Sequence, residues 1–341
     1  MEDSLAMIHK RKFLNRIKSE SFLIGILCLI GLIPCPKPVK KRGHPYVYSP
    51  TVMLRCFIVR VWLRIPSNSA LHDYFSLDKA YNRKVMKACG LDRLPDRRTF
   101  DRRFKTVALD IKVRIDAMGA LFVKERLIDP YIASVDSCLL KAKGHVWHKS
   151  SMKKNVVPRS GIDTDARWRF SRSKGWIFGY KLHLACSSGS LIVPLSADFT
   201  TANIADNNMY QSITASLPDG VGYVAADEGY DDHTLYDFSR YRGFELVCPI
   251  TRYEHTDGER LELMHFYDSE LGQCIYAWRG VSVEPLIEHI KDVFDIDPLP
   301  VRGLDNARSI VLLSVLLYQV MVYYNYLTRR PLRALKHMLG S

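Results

Sequence analysis

Three acidic residues stand where apolar segments stop or begin. Asp136 follows Tyr131-Ile132-Ala133-Ser134-Val135, Asp227 follows Val224-Ala225-Ala226, and Glu284 opens a segment striped by Val283, Ile287, Ile290 and Phe294. Carboxylates that end apolar strands gather at the rim of a sheet, where sites in α/β folds form. Three anions at close range repel and raise a pKa unless cations stand between them. Carboxylate oxygens suit Mg²⁺ or Mn²⁺. A pair of such ions about 3.5–4 Å apart does phosphodiester chemistry, one activating the nucleophile and the other stabilising the leaving oxygen. The same residues have plainer uses: a strand-end Asp caps a helix or forms a turn, and an early Glu favours a helix N-terminus. Glu228, Asp231 and Asp232 adjoin Asp227 and are alternatives to it.

Cations accompany these carboxylates. Glu284, Glu288 and Lys291 fall at i, i+4 and i+7, one helical face. Lys291 is therefore placed either to hold a phosphate or to pair with Glu288. Arg279, just ahead of that helix, has the fork that grips a phosphate. Residues 137–178 carry ten basic and only two acidic side chains. Among them Lys141, Lys143, Lys153, Lys154, Arg167, Arg169, Arg172 and Lys174 interleave with Trp147, Trp168, Phe170 and Trp176. Cations track phosphates and aromatic rings stack on exposed bases, so this segment reads as a DNA-contact loop; a solvated loop with its Trp side chains packed inward is the alternative. His145 and His148 have no Cys partners nearby and read as loop or DNA-contact residues.

The whole chain has 341 residues, with 49 Lys and Arg against 36 Asp and Glu, a formal charge of +13. The excess is local: residues 1–129 carry net +14 and residues 137–178 net +8, whereas residues 179–341 carry net −8. Such a balance points to a polyanionic partner, nucleic acid or an acidic membrane surface. An apolar fraction of 47% excludes a disordered tail. The eight scattered cysteines argue against a zinc ribbon or a disulfide framework and fit a reducing cytosol. Phe22–Ile33 is too short to span a bilayer and ends in Pro34-Cys35-Pro36, without a signal-cleavage site. Ser309–Leu327 is interrupted by Ser314, Gln319 and Asn325, while Ile310, Leu313, Leu317, Met321 and Tyr324 recur at helical spacing. A buried core helix is expected there, with no membrane partner.

These residues need elements to position them. Residues 1–42 form a basic, partly flexible segment that includes Lys10, Arg11, Lys12, Arg16, Lys18 and the loop Lys40-Lys41-Arg42. Residues 43–128 predict helices: Met53, Phe57 and Val61 repeat every four, with breaks at Pro66–Ser69 and Leu94-Pro95-Asp96. A helix opening at Thr99–Phe104 would present Arg97, Arg98, Arg102 and Arg103, so this region reads as an all-helical, helix-turn-helix-like DNA-binding domain. A helical bundle with solvated arginines is the plainer alternative. Beyond Asp129-Pro130 the period becomes two. Phe178, Tyr180, Leu182, Leu184 and Cys186 alternate with Gly179, Lys181, His183 and Ala185. A turn at Ser187–Ser190 leads to a strand over 191–197. Helices near 204–215 and 233–241 then alternate with strands 223–227 and 244–250. A small β-hairpin insertion is expected at about 251–275, followed by a helix over 284–294. Residues 129–327 thus predict an α/β mixed sheet flanked by helices, and residues 328–341 a basic tail.

At this point the motifs resemble a known family, the DDE transposases of bacterial insertion sequences, of the insertion-sequence-4 type with a ribonuclease H-like catalytic core. The likeness is carried by Val135-Asp136-Ser137-Cys138-Leu139-Leu140-Lys141-Ala142, by Gly175-Trp176-Ile177-Phe178-Gly179-Tyr180-Lys181-Leu182-His183, and by Ala225-Ala226-Asp227-Glu228-Gly229-Tyr230-Asp231-Asp232. Tyr276, Arg279, Glu284 and Lys291 are similar to the family's Tyr-Arg-Glu-Lys signature, with four residues between Arg279 and Glu284 where the family has three. Arg302-Gly303-Leu304-Asp305-Asn306-Ala307, Gly43-His44-Pro45-Tyr46 and Leu94–Phe100 resemble flanking family segments. The resemblance implies that Asp136, Asp227 and Glu284 hold two Mg²⁺ or Mn²⁺ ions, that Tyr276, Lys291 and Lys181 meet DNA, and that Arg279 clamps a phosphate. It further implies a cut-and-paste transposase acting as a homodimer on double-stranded DNA, the terminal inverted repeats and a target. Its setting would be the cytoplasm of a bacterium or archaeon, at the nucleoid. A catalytically decayed DNA-binding derivative and a general metal-dependent nuclease are the alternative readings.

Overall fold

A computed structural model of the chain describes residues 13–15, 17–33, 47–251 and 258–340. The basic runs Lys10-Arg11-Lys12 and Lys40-Lys41-Arg42, Arg16, and the segment Gly43-His44-Pro45-Tyr46 lie outside the described residues. The chain divides into two compact units, one running to Arg114 and resuming at Leu313, the other spanning Ile115–Leu312. The sequence pattern puts a boundary at 128/129 and a separate tail after 327. Packing within the first unit explains the difference at the C-terminal end. The Tyr324 ring meets Phe22 edge-on at 6.0 Å, its hydroxyl donates to the Ile17 carbonyl at 3.2 Å, and the Arg330 guanidinium lies 4.8 Å over Phe22.

The first unit is helical. Its elements are α1 (Phe22–Ile30), α2 (Pro50–Trp62), α3 (Asn68–Ser76), α4 (Ala80–Cys89), α5 (Arg97–Thr106) and the opening of α6 (Ala108–Lys124). Helix starts are written locally: Ser49, Ser67 and Asp96 accept from the N–H groups of Val52, Ala70 and Arg98. Phe57 holds α2 to α5 through Phe100 and Phe104, with ring centroids 6.3 and 4.9 Å away. Buried Arg60 is satisfied by Asn68 Oδ1 at 2.8 Å and by the carbonyls of Ile65 and Pro66. Arg97, Arg98 and Arg102 are exposed on α5, Arg97 bonding Asp73 at 2.6 Å. Arg103 is buried, so the exposed basic face is narrower than expected.

The second unit is a mixed α/β fold. It contains β1 (Ile132–Lys141), α7 (Lys149–Lys153), β2 (Arg167–Ser171), β3 (Gly175–Ser187), β4 (Pro194–Thr201), α8 (Asn207–Thr214), β5 (Tyr223–Ala225), α9 (His233–Arg242), β6 (Glu245–Val247), α10 (Gly258–Asp268) and α11 (Glu270–Phe294). It also takes in the start of α12 (Leu304–Thr328), which begins within it and ends in the first unit. The strand order is β2-β3-β1-β5-β6, with β4 also on β3. β3 runs antiparallel to β1 from Ala133↔Ser187 to Lys141↔Gly179, whereas β5 and β6 are parallel to the β1 direction. At Gly179 a Cβ would collide with the Leu140 carbonyl, so only glycine lets the two strands lie this close. Both faces of β3 are covered, which is why Lys181 and His183 of the alternating pattern are 2% and 0% exposed.

Four expectations change here. Asp136 does not end β1; the ladder with β3 carries the strand on to Lys141. The 137–178 segment is not one loop, since it holds the end of β1, α7 and β2. Residues 258–275 are helical rather than a β-hairpin, residues 252–257 lying outside the described residues. Gly258–Asp268 holds two Glu, two Leu, one Arg and one Met and has no β-branched residue, a composition that favours helix. Finally, α11 starts at Glu270 with Ser269 as its cap, so Tyr276 and Arg279 are helical and Glu284 sits mid-helix. It continues through Pro285, which has no N–H to give the carbonyl of Val281. α12 has the length and apolarity of a membrane span, but 83% of that stretch is buried, with Ser314, Gln319 and Asn325 inside it.

Candidate active site

Three elements of the second unit bring the sequence-expected carboxylates together. Asp136 lies within β1 and accepts at Oδ1 from the Ser137 N–H at 2.7 Å. Asp227, just beyond β5, caps the short turn Glu228–Tyr230 and accepts from the Gly229 N–H at 3.0 Å. Glu284 comes from α11. All three reach one guanidinium. Arg279 Nη2 bonds Asp136 Oδ2 at 2.8 Å and lies 3.9 Å from Asp227 Oδ2, and Nη1 donates to Glu284 Oε1 at 2.9 Å. Arg279 and Glu284 are five residues apart, about 140° round a helix, and the long guanidinium side chain closes that gap. The alternatives to Asp227 are engaged elsewhere: Asp231 with Arg260 and Asp232 as the α9 cap, while Glu228 is exposed.

Charge and burial oppose each other at this point. Burial pushes the Asp136 carboxyl up to about 6, against the pull of Arg279 and the Ser137 N–H. Asp227 is raised for the same reason, burial outweighing Arg279 and the Gly229 N–H. Burial would lower Arg279, but Asp136, Asp227 and Glu284 together raise it. One cation thus answers three carboxylates, and the balance stays negative. Two buried polar atoms beside them, Tyr230 Oη and Arg279 Nε, have no hydrogen-bond partner; the charges of Asp206, Asp136 and Asp227 add to burial in raising the Tyr230 phenol.

The carboxylates line a cleft of about 480 Å³. Its wall also includes Arg169, Phe170, Ser171, Ser173 and Lys174 of the β2–β3 hairpin, together with Ser137, Lys181, Asp206 and Glu288. Of the basic residues expected to meet DNA, Arg169 and Lys174 are therefore at the site. Lys141, Lys143, Lys153, Lys154 and Arg172 are exposed, Lys143 donating to the Pro300 carbonyl at 2.6 Å. Arg167 turns to the carbonyls of Thr164 and Ala166. Phe170 and Trp176 face each other across the hairpin with centroids 5.4 Å apart, both more than half exposed. The Lys149 ammonium sits 2.8 Å from the centre of the Trp176 ring.

Lys181 departs from expectation, and Lys291 takes the second of its two readings, the pair with Glu288. Lys181 is buried, and its ammonium donates to Asp206 Oδ1 and to the Ile204 carbonyl, both at 2.8 Å, instead of pointing outward. Lys291 is buried on α11 and pairs with Glu288 at 3.1 Å and Asp297 at 3.2 Å. Tyr276 is half-buried, its ring 5.4 Å from Tyr267 and packed beside Ala225, Val247 and Ile275. Asp206 is the residue that sequence reasoning passed over. Burial would raise it, but Lys181, the Ser137 side chain and His183 hold its carboxyl below the ordinary value. The available signal was a lysine and a histidine inside an otherwise apolar strand.

Among the described residues no three His, Cys, Asp or Glu side chains are grouped to hold a metal ion. The guanidinium of Arg279 stands among Asp136, Asp227 and Glu284 instead. A comparison with curated proteins returns no match. A solved structure, the piggyBac transposase synaptic complex with hairpin DNA, shows a weak likeness: TM-score 0.38, 9% identity, 92% of this chain and 74% of that one covered. Residues 128–320, more than half of the chain and all three carboxylates with it, match the family model described as "Transposase DDE domain". The chain belongs to the transposase DDE domain family.

Proposed function

We propose that this transposase DDE domain cleaves DNA at the ends of an insertion sequence and joins the freed 3′-hydroxyl to target DNA. In this reading Asp136, Asp227 and Glu284 hold two Mg²⁺ or Mn²⁺ ions. The observation that carries it is the convergence of three carboxylates, from β1, the end of β5 and α11, on a single cation in a cleft edged by Arg169 and Lys174. The donor chemistry is of the kind divalent cations take, three carboxylates with no nitrogen or sulfur ligand, and ions that bound there would replace the Arg279 guanidinium among them. When bound by these carboxylates, such ions would supply activation of an attacking hydroxyl and stabilisation of a leaving oxygen.

The chain's own residues have distinct tasks. Arg169 and Lys174 hold the phosphate backbone at the cleft mouth. Arg279, freed from the carboxylates, takes a phosphate in its fork. Phe170 and Trp176 offer faces to unpaired bases. The exposed arginines of α5 (Arg97, Arg98 and Arg102) supply a second contact, to duplex DNA. The strand order, with two parallel strands beside an antiparallel set, is what a ribonuclease H-like core of the insertion-sequence-4 type would have, and a homodimer on paired ends in the bacterial or archaeal cytoplasm belongs to the same reading. The four-residue gap between Arg279 and Glu284 favours a second reading, a decayed DNA-binding derivative. One experiment separates them. Duplexes bearing candidate inverted repeats are incubated with Mg²⁺ and the wild-type, Asp136→Ala, Asp227→Ala or Glu284→Ala protein. Nicking by wild type alone supports the transposase; equal nicking by all four rejects the carboxylate assignment.

A further inference from the structure

Asp136 and Glu284 come from a strand and a helix far apart in the chain, yet they stand within one guanidinium fork. Arg279 bonds them at 2.8 and 2.9 Å through its two terminal nitrogens. Groups that act together must be held within about 0.5 Å of their working geometry. α11 packs on β1 and β3, and beside Glu284 it buries Val283, Leu286, Ile287 and Ile290. Apolar contact of this kind is non-directional and does not fix how far the helix lies along the strand. Pro285 also weakens the ladder of the helix itself, having no N–H for the Val281 carbonyl.

Directional ties flank that proline. Among the described residues, α11 buries two polar side chains, Ser282 and Lys291. Lys291, beyond Pro285, reaches Asp297, which accepts from the Lys141 N–H at the end of β1. Ser282 lies on the Glu284 side. Ser134 precedes Asp136 by two residues on β1 and so shares its face. Its hydroxyl is 2.8 Å from that of Ser188, and the Ser188 hydroxyl donates to Ser282 at 3.2 Å. Ser134 and Ser282 are 0% exposed and Ser188 is 7% exposed. Ser188 is itself fixed to the sheet, its N–H donating to the Ile132 carbonyl at 2.9 Å. Ser187 closes the turn beside it, donating to the Leu191 carbonyl and accepting from the Val193 N–H, both at 3.0 Å.

We propose that Ser188 is a positioning residue: by bridging Ser134 and Ser282 it sets the register of α11 on β1, and with it the spacing of Glu284 from Asp136. The inference rests on these two carboxylates binding divalent ions together. Partners that orient ligands typically contribute about 10–100-fold to metal affinity. Here the orienting bonds act on the elements that carry the ligands. Removing the central hydroxyl takes this partner from two buried hydroxyls, which is unfavourable. A shift of α11 that re-pairs them carries Glu284 with it.

The test uses the full chain and two readouts: Mn²⁺ affinity by electron paramagnetic resonance, and the urea midpoint. Ser188→Ala is expected to weaken Mn²⁺ binding about tenfold. Ser188→Thr keeps the hydroxyl and should bind Mn²⁺ more tightly than Ser188→Ala. Ser188→Ala combined with Ser282→Ala should bind it no more weakly than Ser188→Ala alone, because both changes cut one bridge. Ile290→Val, a buried truncation on the same helix, is expected to lower the urea midpoint and keep wild-type Mn²⁺ affinity. Equal Mn²⁺ losses in Ile290→Val and Ser188→Ala overturn the positioning role, since any loosening of α11 would then suffice. Wild-type affinity in Ser188→Ala, with binding lost in Asp136→Asn, overturns it too and leaves the catalytic reading standing. Retention of Mn²⁺ binding in Asp136→Asn overturns both. Should Ser188→Ala fail to fold, Ser282→Ala carries the same test.

Discussion

Two parts of the cleft treat charge differently. Toward α11, three carboxylates share one guanidinium, and Glu284 and Asp227 keep 53% and 41% of their side-chain surface exposed. Toward α8, one carboxylate is answered by a lysine, with a histidine beside it, and the Lys181 side chain is only 3% exposed. Burial without full pairing raises carboxyl pKa values in the first part; burial with pairing lowers Asp206 in the second. The first part has charge to spend on an incoming cation, and the second has spent its charge on structure. A site therefore differs from a scaffold in the balance of its charges more than in their number.

The largest effect that can break this contrast is on chemistry. Asp136→Ala, Asp227→Ala or Glu284→Ala should lower the rate of Mg²⁺-dependent strand cleavage by roughly 10³-fold or more, read from single-turnover nicking. Loss of the shared cation comes next. Arg279→Ala leaves the buried Asp136 carboxylate without its cation, beside the half-exposed Asp227 and Glu284, so without divalent ions the fold should lose about 1–3 kcal/mol, seen as a lower urea midpoint that added Mn²⁺ recovers. If Mn²⁺ does not recover it, the carboxylates are not a cation site.

A pH titration sharpens the same point. Asp136 sits at about 6 when folded, against an ordinary 3.8. The folded chain then holds a proton that the unfolded chain has released, so stability from this group is full below about pH 4 and falls as pH rises to 6. Without divalent ions, the wild type should lose up to about 2–3 kcal/mol across that window, and Asp136→Asn should lose less. Urea unfolding at pH 4, 5 and 6 measures it. The smallest effect separates the exposed cations of the cleft from the buried one. Arg169→Ala and Lys174→Ala should each reduce the salt slope of DNA binding by about one unit, and Lys181→Met should leave that slope unchanged.

Much of the candidate site was legible from local pattern. Asp136 and Asp227 follow apolar strand residues, and the spacing from Arg279 through Glu284 to Lys291 is readable without coordinates. The apolar period of two announced β3 and the repeats of Met53, Phe57 and Val61 announced α2. What escaped was governed by long-range pairing. A strand's end depends on its partner, so β1 continued to Lys141 because β3 ran alongside it. The charged stretch before α11 has no clear period of its own, and its helix-forming residues prevail because α10 and α11 pack on Ala225 and Val247.

By itself, then, the sequence determined which residue types would be available and roughly on which elements: carboxylates at strand and helix positions, cations in residues 137–178, apolar stripes for the core. These follow from backbone propensity and side-chain periodicity, which act over a few residues. Only the tertiary structure decided which charges meet. It set Arg279 among three carboxylates and turned Lys291 inward to Glu288 and Asp297. It also matched Lys181 with Asp206, residues 25 positions apart in the chain. Coulomb energy depends on distance and on the solvent excluded between groups, and neither quantity exists until strands and helices have packed.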